Sequence, residues 1–258
     1  MTGRHLGAIH TPAPASIRRL EQVFGLVAAK PETDWLEGID FGAGPDPMLG
    51  NADAGCCVEV SAFQIARIRA HHVWGPDSYL PVTGQVVSLY SARTGYVPGE
   101  PATDLGTDTA AFMGWWATAG LPFGNPAADI DVIGWSRASL FRTPMAIDLA
   151  GPVRMTLALP AALQDAPASA WADAPGTSAD WEAGSWGTHS VAAGAQRDRS
   201  LRVVTWGETV WLHPEFALRY WLATDVAVSR FWLTTTGLAP SAVDWASLAA
   251  DVSGLASA

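Results

Sequence analysis

The sequence LGNADAGCC, residues 49–57, runs directly into a long apolar helical pattern. Such a junction places the Cys57 thiol in the first turn of a helix. Unpaired backbone N–H groups and the positive end of the helix dipole favour thiolate over thiol at that position. Because thiolate is the nucleophilic form of cysteine, the stretch predicts a reactive thiol at the start of a buried helix.

Two polar side chains complete the candidate site. Asn51 lies six positions before Cys57, and His189, in the sequence GTHSV, lies 132 positions after it. A thiol, an imidazole and an amide are the groups that nucleophilic catalysis by cysteine uses. A free buried cysteine is more often inert packing, so a structural role for Cys57 stays open at this point. We interpret the neighbouring Cys56 as structural.

The composition indicates a globular chain of one large domain or two lobes that share a core. The chain has 258 residues, of which 49% are hydrophobic and 16% are charged. A disordered chain would carry fewer apolar residues. The net charge of −10 lacks the basic footprint of a nucleic-acid-binding protein, and we interpret it as a solubility feature.

The cysteine count and the hydropathy pattern indicate where the protein is kept. Two cysteines that are adjacent in sequence cannot staple a fold, so we expect two free thiols, which suit a reducing compartment. No apolar run reaches the roughly 18 residues of a membrane span, and the first residues lack a signal-peptide core. We therefore expect a cytoplasmic protein without a membrane span, unless it leaves the cell inside an assembly.

The pattern of elements changes from helical to β-rich along the chain. Residues 1–16 read as an extended arm, residues 38–55 as a glycine-rich loop and residues 164–187 as a long loop before the His189 strand. Apolar periodicity predicts helices, and short runs rich in Val, Ile, Thr and Trp predict antiparallel strands. The predicted helices are 17–29, one from Cys57 to the Gly75-Pro76 stop, 84–91, 107–119, 214–222 and 240–255; the predicted strands are 131–135, 153–159, 190–195, 201–206 and 229–236.

The predicted fold is therefore α+β, with the site at the seam between two lobes. We assign residues 1–44 to an N-terminal arm and helix, and residues 45–258 to one domain. Its helical lobe, residues 45–125, carries Cys57, and its β-rich lobe, residues 126–258, carries His189. A seam between lobes is a common place for a cleft.

The candidate residues resemble the papain-type cysteine peptidase arrangement. That family places its histidine about 130–150 residues after the cysteine. The resemblance implies that Asn51 and the Cys57 backbone N–H form an oxyanion hole, and that Trp206 shields His189 from water. Where the family has Asn-Ser-Trp-Gly, this chain has VTWG at residues 204–207, so Val204 stands in place of the asparagine that orients the imidazole. Thr205, Thr188 or a backbone carbonyl are the candidates to replace it.

A closer resemblance is to uncharacterised papain-fold proteins of bacteriophages and prophages. These look like GNxxxGDC, then TGYxP, DxG, GGHAV and VTWG. The chain has the corresponding motifs in the same order, from about residue 45 to the C-terminus: GNADAGCC at 50–57, TGYVP at 94–98, DLG at 104–106, GTHSV at 187–191 and VTWG at 204–207.

The resemblance implies two functions that the sequence leaves open. The first is a papain-like cysteine peptidase or amide hydrolase of a phage or prophage, in which Cys57 attacks and His189 transfers the proton. This reading predicts peptide or protein substrates and an open groove. The second is a catalytically inactive structural or decoration protein of a virion, with virion subunits or further copies of the chain as partners and a blocked cleft. The sequence does not distinguish this second function from that of a peptide-binding module whose cleft is catalytically inactive. Either reading implies localisation in the host cytoplasm or the virion.

No metal or cofactor is predicted. The sequence has no His-x-x-x-His pair with a glutamate between, so the zinc-peptidase pattern is missing. The glycine-rich residues 42–45 lack the strand and helix that a phosphate cradle needs. His71 and His72 lie at a predicted helix end, where a positive charge is favourable, and we interpret them that way.

Overall fold

The structure is a computed structural model that describes residues 4–15, 17, 32–121 and 132–229. In this part of the chain five helices and nine strands alternate in an irregular order. The helices are α1 (Cys57–Trp74), α2 (Thr83–Thr94), α3 (Thr109–Ala119), α4 (Thr143–Ala150) and α5 (Pro214–Tyr220). The strands are β1 (Ala8–Ile9), β2 (Glu32–Asp34), β3 (Thr107–Asp108), β4 (Val132–Ala138), β5 (Val153–Leu159), β6 (Gly187–Arg197), β7 (Ser200–Thr205), β8 (Glu208–Leu212) and β9 (Trp221–Ser229).

One antiparallel sheet forms the β-rich lobe. Its strands follow the order β4-β9-β5-β6-β7-β8, and β2 pairs with the far part of β6. The register of β5 on β6 sets His189 opposite Leu157, in the middle of the sheet. A second, parallel pair joins β1 to β3, with Ala8 opposite Thr107.

Helix α1 lies between the helical lobe and the sheet and is buried over most of its circumference. Its Ser61 hydroxyl lies 3.0 Å from the Ser190 hydroxyl of β6, and its Arg69 guanidinium donates to the Ala227 carbonyl over 2.7 Å. Two groups of buried side chains meet along this helix and strand. One surrounds α1, α2 and α3 and includes Phe63 and Trp116. The other lies among the sheet, α4 and α5. The boundary between these two groups of buried side chains is the seam between the lobes.

The α+β class with a helical half and an antiparallel half is confirmed. The central helix starts at Cys57 as predicted, and β5 has the predicted bounds. The predicted helices 84–91 and 107–119 form, but the second loses its first two residues to β3, because they pair with β1 instead. The predicted helix 214–222 ends at Tyr220, and the next residue begins β9.

Some elements were not predicted, and others lie elsewhere. The sequence did not predict α4, β8 or most of β9, which lack a clear period. The predicted strand at 190–195 is longer in the structure, where it is part of β6, and the one at 201–206 is shifted by one residue, as β7. The predicted strand at 131–135 extends to Ala138. The predicted elements at 17–29, 229–236 and 240–255 lie largely or wholly outside the described residues.

Both cysteines are free, as expected, and both are buried. In the described part of the chain, no helix combines the length and the apolar character needed to cross a membrane.

Candidate active site

The loop before α1 is fixed by one carboxylate. Asp46 accepts hydrogen bonds from the Met48 and Gly50 backbone N–H groups over 3.0 and 2.8 Å, and from the Thr83 hydroxyl of α2 over 2.6 Å. Gly50 has φ of +87°, a conformation that glycine adopts without strain. The loop therefore delivers the chain to Cys57 along one defined path.

A second carboxylate holds the residues next to the thiol. The Gly55 N–H donates to Asp104 over 2.9 Å, and the Tyr90 hydroxyl donates to the same carboxylate over 2.5 Å. A Cβ on Gly55 would lie 2.8 Å from the Asp104 oxygen and 2.9 Å from the Leu6 carbonyl oxygen, closer than real Cβ atoms approach. The glycine of the GCC motif is thus required by space. The DLG motif, which contains Asp104, is part of the same structure.

The VTWG motif forms the tight turn that places a tryptophan on the histidine. Trp206 and Gly207 join β7 to β8 with φ of +46° and +77°, the left-handed pair that a two-residue hairpin requires. The turn stacks the Trp206 ring on the His189 ring, with centroids 4.2 Å apart and planes 14° apart. The Trp206 ring therefore covers one face of the imidazole.

Thr205 supplies the polar partner of the imidazole. Its hydroxyl oxygen lies 3.0 Å from His189 Nε2, and both residues are buried. Val204, in the position of the family's asparagine, contributes only apolar surface. Nδ1 of His189 has no hydrogen-bond partner. The ring is therefore anchored through one nitrogen, and the other is left for a further group.

The Cys57 thiol is fully buried beside the histidine strand. Burial raises the pKa of Cys57 to about 12, and hydrogen bonds from the backbone of Ser190 and Gly7 only partly offset this. The expectation of a favoured thiolate is therefore wrong for this closed structure, because desolvation outweighs the helix N-terminus. The sulfur contacts the backbone of the residue that follows His189, but the thiol and His189 Nδ1 are not hydrogen-bonded.

The imidazole is also held in its neutral form. Burial, together with the nearby charge of Arg4, lowers the pKa of His189 to about 3. A raised cysteine pKa and a lowered histidine pKa are the opposite of a thiolate–imidazolium pair. In the closed structure both groups are uncharged.

Asn51 is where an oxyanion-hole amide was predicted, but its donor is already in use. The Nδ2 atom donates to the Ala54 carbonyl over 2.8 Å and to the His5 carbonyl over 3.1 Å. The first bond lies within its own loop and fixes the amide. The second is made to the N-terminal part of the chain.

The expected open groove is absent at the described site because residues 4–11, the covering segment, lie across it. The cavity left beside His189 is about 10 Å³, lined by Asn51, Ser61 and Thr205 among others, which is about the size of one water molecule. The Gly7 backbone contacts the Cys57 sulfur, and Ala8 and Ile9 form β1 against β3. An extended arm was predicted here, but nothing in the sequence indicated that it would close the seam.

Other buried charges near the seam were missed as well. Burial raises the pKa of Glu59 to about 7, and Glu59 accepts a hydrogen bond from Thr107 over 2.7 Å. Arg154 donates to Asp225 over 2.5 Å, with both side chains fully buried. These residues belong to no motif. The sequence feature that could have revealed them is a single charged residue inside an apolar run. Among the described residues, no group of three His, Cys, Asp or Glu side chains is arranged to hold a metal ion.

Comparison with known proteins identifies the fold. No protein family matches the sequence, and no curated protein matches it. The structure is similar to xylellain, a cysteine protease from Xylella fastidiosa, with a TM-score of 0.59 and 13% identity over 88% of this chain and 97% of that one. It is also similar to proCathepsin B S9 from Trypanosoma congolense, with a TM-score of 0.55 and 10% identity over 87% of this chain and 86% of that one. The chain thus has an α+β, papain-like fold.

Proposed function

We propose that the chain is a papain-like cysteine hydrolase of peptide or amide bonds, held in a closed state by its own covering segment. Cys57 is the nucleophile, His189 is the acid–base group, and Asn51 with the Cys57 N–H stabilises the oxyanion. The closed state is unreactive, and activity belongs to the state in which residues 4–11 have left the seam.

The orientation of the imidazole is the observation that carries this proposal. Nε2 is bonded to the Thr205 hydroxyl, Trp206 is stacked on the ring, and Nδ1 is buried without a partner. A buried ring nitrogen without a partner is costly. Because Nε2 is bonded to Thr205, Nδ1 is the ring nitrogen that is left to exchange a proton with the Cys57 thiol.

The chemistry follows from these positions. His189 Nδ1 takes the thiol proton, and the Cys57 sulfur attacks the carbonyl carbon of the substrate. The C–N bond breaks as the amine leaves with the proton from His189, and water then hydrolyses the thioester. Once the covering segment leaves, the Asn51 donor that serves the His5 carbonyl is free for the oxyanion.

One observation favours the second candidate, an inactive papain-fold protein of a virion. The thiol and the imidazole are both fully buried and both uncharged. A structural protein would keep them so permanently. A phage or prophage origin, localisation in the host cytoplasm or virion, and partners among virion subunits or further copies of the chain are proposals that rest on the ordered motifs of the sequence.

Hydrolysis by an opened variant tests the first candidate. Gly7→Ala places a methyl group where the Gly55 carbonyl lies, so it is expected to displace the covering segment. This variant should hydrolyse a mixture of fluorogenic peptides, the added change Cys57→Ala should abolish the hydrolysis, and Cys56→Ala in its place should leave it. An opened, folded protein without Cys57-dependent hydrolysis would favour the structural role.

A further inference from the structure

The covering segment is bound in the way that extended peptides bind to the edge of a sheet. The Thr107 N–H donates to the Gly7 carbonyl over 2.7 Å, and the His5 N–H donates to the Asn51 carbonyl over 3.2 Å. The Thr188 hydroxyl donates to the Ala8 carbonyl. Backbone hydrogen bonds of this kind give affinity for any extended chain, and the side-chain sites between them give selectivity.

One of those side-chain sites accepts only glycine. Gly7 crosses Gly55 and Gly106 so closely that a Cβ on Gly7 would fall on the Gly55 carbonyl, and a Cβ on Gly106 would fall on the Gly7 carbonyl. Backbone, not a flexible side chain, is what such a methyl group would meet. The path above the Cys57 thiol is therefore wide enough for a residue without a side chain and for no other.

The residue before this glycine enters an apolar site of the β-rich lobe. Leu6 packs against that lobe's buried cluster, and its Cδ1 lies 3.0 Å from the Cβ position of Gly187. Gly187 is the first residue of the GTHSV motif, so the absence of a side chain there leaves room for the leucine. An aliphatic residue therefore fits directly before the glycine.

The residue two positions before that leucine enters a site for a guanidinium. The Arg4 guanidinium lies 4.8 Å from the centre of the Trp206 ring, donates to the Ala166 carbonyl and lies 3.9 Å from the Glu208 carboxylate. An aromatic face, a carbonyl and a carboxylate are the three partners that guanidinium groups prefer. Arg4 and Leu6 alternate along the segment, as side chains on one face of an extended chain do.

We propose that this groove is a sequence-selective peptide site, which recognises an extended segment of the form Arg-x-Leu-Gly, with the glycine over Cys57. Residues 4–7 of the chain occupy the site in cis, and a peptide of the same form competes for it in trans. The inference deepens the proposed function, because it names the substrate or ligand class of that site, and it also holds for a groove that binds without cleaving.

Protection of Cys57 from alkylation measures occupancy of the groove without requiring catalysis. In the full chain, Gly7→Ala is expected to raise the rate of Cys57 alkylation by iodoacetamide roughly tenfold to hundredfold, because a methyl group forced against backbone displaces the segment. Cys56, whose sulfur faces the Leu49 carbonyl at 4.0 Å and not the segment, is the internal control. Tandem mass spectrometry separates the two adjacent sites.

The probe is the acetylated and amidated peptide RHLGAIHT, which has the sequence of residues 4–11. Added at about ten times its dissociation constant, it should slow Cys57 alkylation of the Gly7→Ala variant roughly tenfold, because only the free protein reacts. The matched peptide RHLAAIHT, with alanine in the glycine position, should give no protection at the same concentration. Equal protection by both peptides, or by neither, would overturn the proposal.

A milder variant covers the case in which Gly7→Ala does not fold, which fast alkylation of Cys56 would reveal. Thr188→Val removes only the hydroxyl that holds the Ala8 carbonyl, so Cys57 should react faster while Cys56 stays slow, with the same response to the two peptides. Unchanged Cys57 reactivity in both variants contradicts the proposal. The added change His189→Ala separates the two hypotheses, since it should remove hydrolysis and leave peptide protection intact.

Discussion

The two sides of the seam are held in place by different means. On the sheet side, Trp206, Thr205 and the β7–β8 turn fix His189 through contacts within one lobe. On the helix side, the burial of Cys57 and the second hydrogen bond of Asn51 depend on residues 4–11. The imidazole is therefore positioned by contacts within the sheet, whereas the thiol is covered by a segment that contacts both lobes. Changes to the sheet side should alter global stability, and changes to the covering segment should mainly alter access.

The largest effect is expected from Trp206→Ala on the sheet side. Trp206 is buried between His189, Trp171 and Trp186, so its removal leaves a cavity and should lower the free energy of unfolding by about 3–5 kcal/mol. Urea denaturation measures the loss. The control is Trp211→Ala, which removes a half-buried ring that lies against Arg197. A loss no greater than that of the control would mean that Trp206 does not support the sheet side.

The pH dependence of stability tests the neutral state of His189. Its pKa is lowered to about 3 in the folded chain, so between about pH 6.5 and 3 the unfolded chain holds the extra proton. This contribution destabilises the fold as the pH falls, by up to about 1.4 kcal/mol per pH unit. Glu59, whose pKa is raised to about 7, acts in the opposite sense between about pH 4.5 and 7.

Comparison with His189→Gln isolates the histidine, because the contribution of Glu59 cancels in the difference. The difference between the free energies of unfolding of the two proteins should change between pH 6 and 4, because the wild type loses more stability as the pH falls. Parallel pH profiles would contradict the lowered pKa of His189. They would show that the imidazole takes up its proton in the folded chain over the same pH range as in the unfolded chain.

Thr205→Val should have a smaller effect of about 1 kcal/mol, because it removes one hydrogen bond and leaves His189 Nε2 buried without a partner. Thr205→Ser keeps the hydroxyl and should restore most of the loss. Thermal unfolding of the three proteins gives the comparison. A loss in the serine variant as large as that in the valine variant would show that the hydroxyl alone does not account for the contribution of Thr205.

The smallest effect on global stability is expected from Arg4→Gln, on the covering segment. Its carboxylate partner Glu208 is exposed, and pairs of that kind contribute less than about 1 kcal/mol. The unfolding midpoint in urea should be almost unchanged, while hydrogen exchange of the Thr107 amide, which the segment protects, should become faster. A large shift of the midpoint would mean that the segment is an integral part of the core.

The sequence predicted those parts of the fold that rest on local signals. The start of α1 at Cys57 follows from a glycine-rich loop that meets an apolar run, and β5 follows from a short run of apolar and β-branched residues. Helix α4 has only eight residues, and the apolar residues of strand β9 are interrupted by Thr224 and Asp225, so neither shows such a pattern. The loss of Thr107 and Asp108 from α3 depends on pairing with residues about 100 positions away.

The sequence indicated which residues are candidates for the site, but it did not indicate that the site is closed. Cys57, His189 and Asn51 were chosen from motifs, and Thr205 was one of the candidates to replace the family's asparagine at the imidazole. The raised pKa of Cys57 was not predicted, because burial by residues 4–11 is a long-range contact. In the sequence, that contact is indicated by the glycines at positions 7, 55 and 106 alone. Each of them looks like an ordinary loop glycine, and only the structure shows that the three lie together.

The pH profile of Cys57 alkylation in the opened chain shows whether the thiol is paired with His189. In the Gly7→Ala variant, a thiol paired with His189 should be alkylated rapidly even below pH 7, and the added change His189→Ala should return it to the profile of an ordinary thiol with a pKa of about 8.5. Identical profiles with and without His189, in a chain whose Cys56 stays protected, would contradict the account.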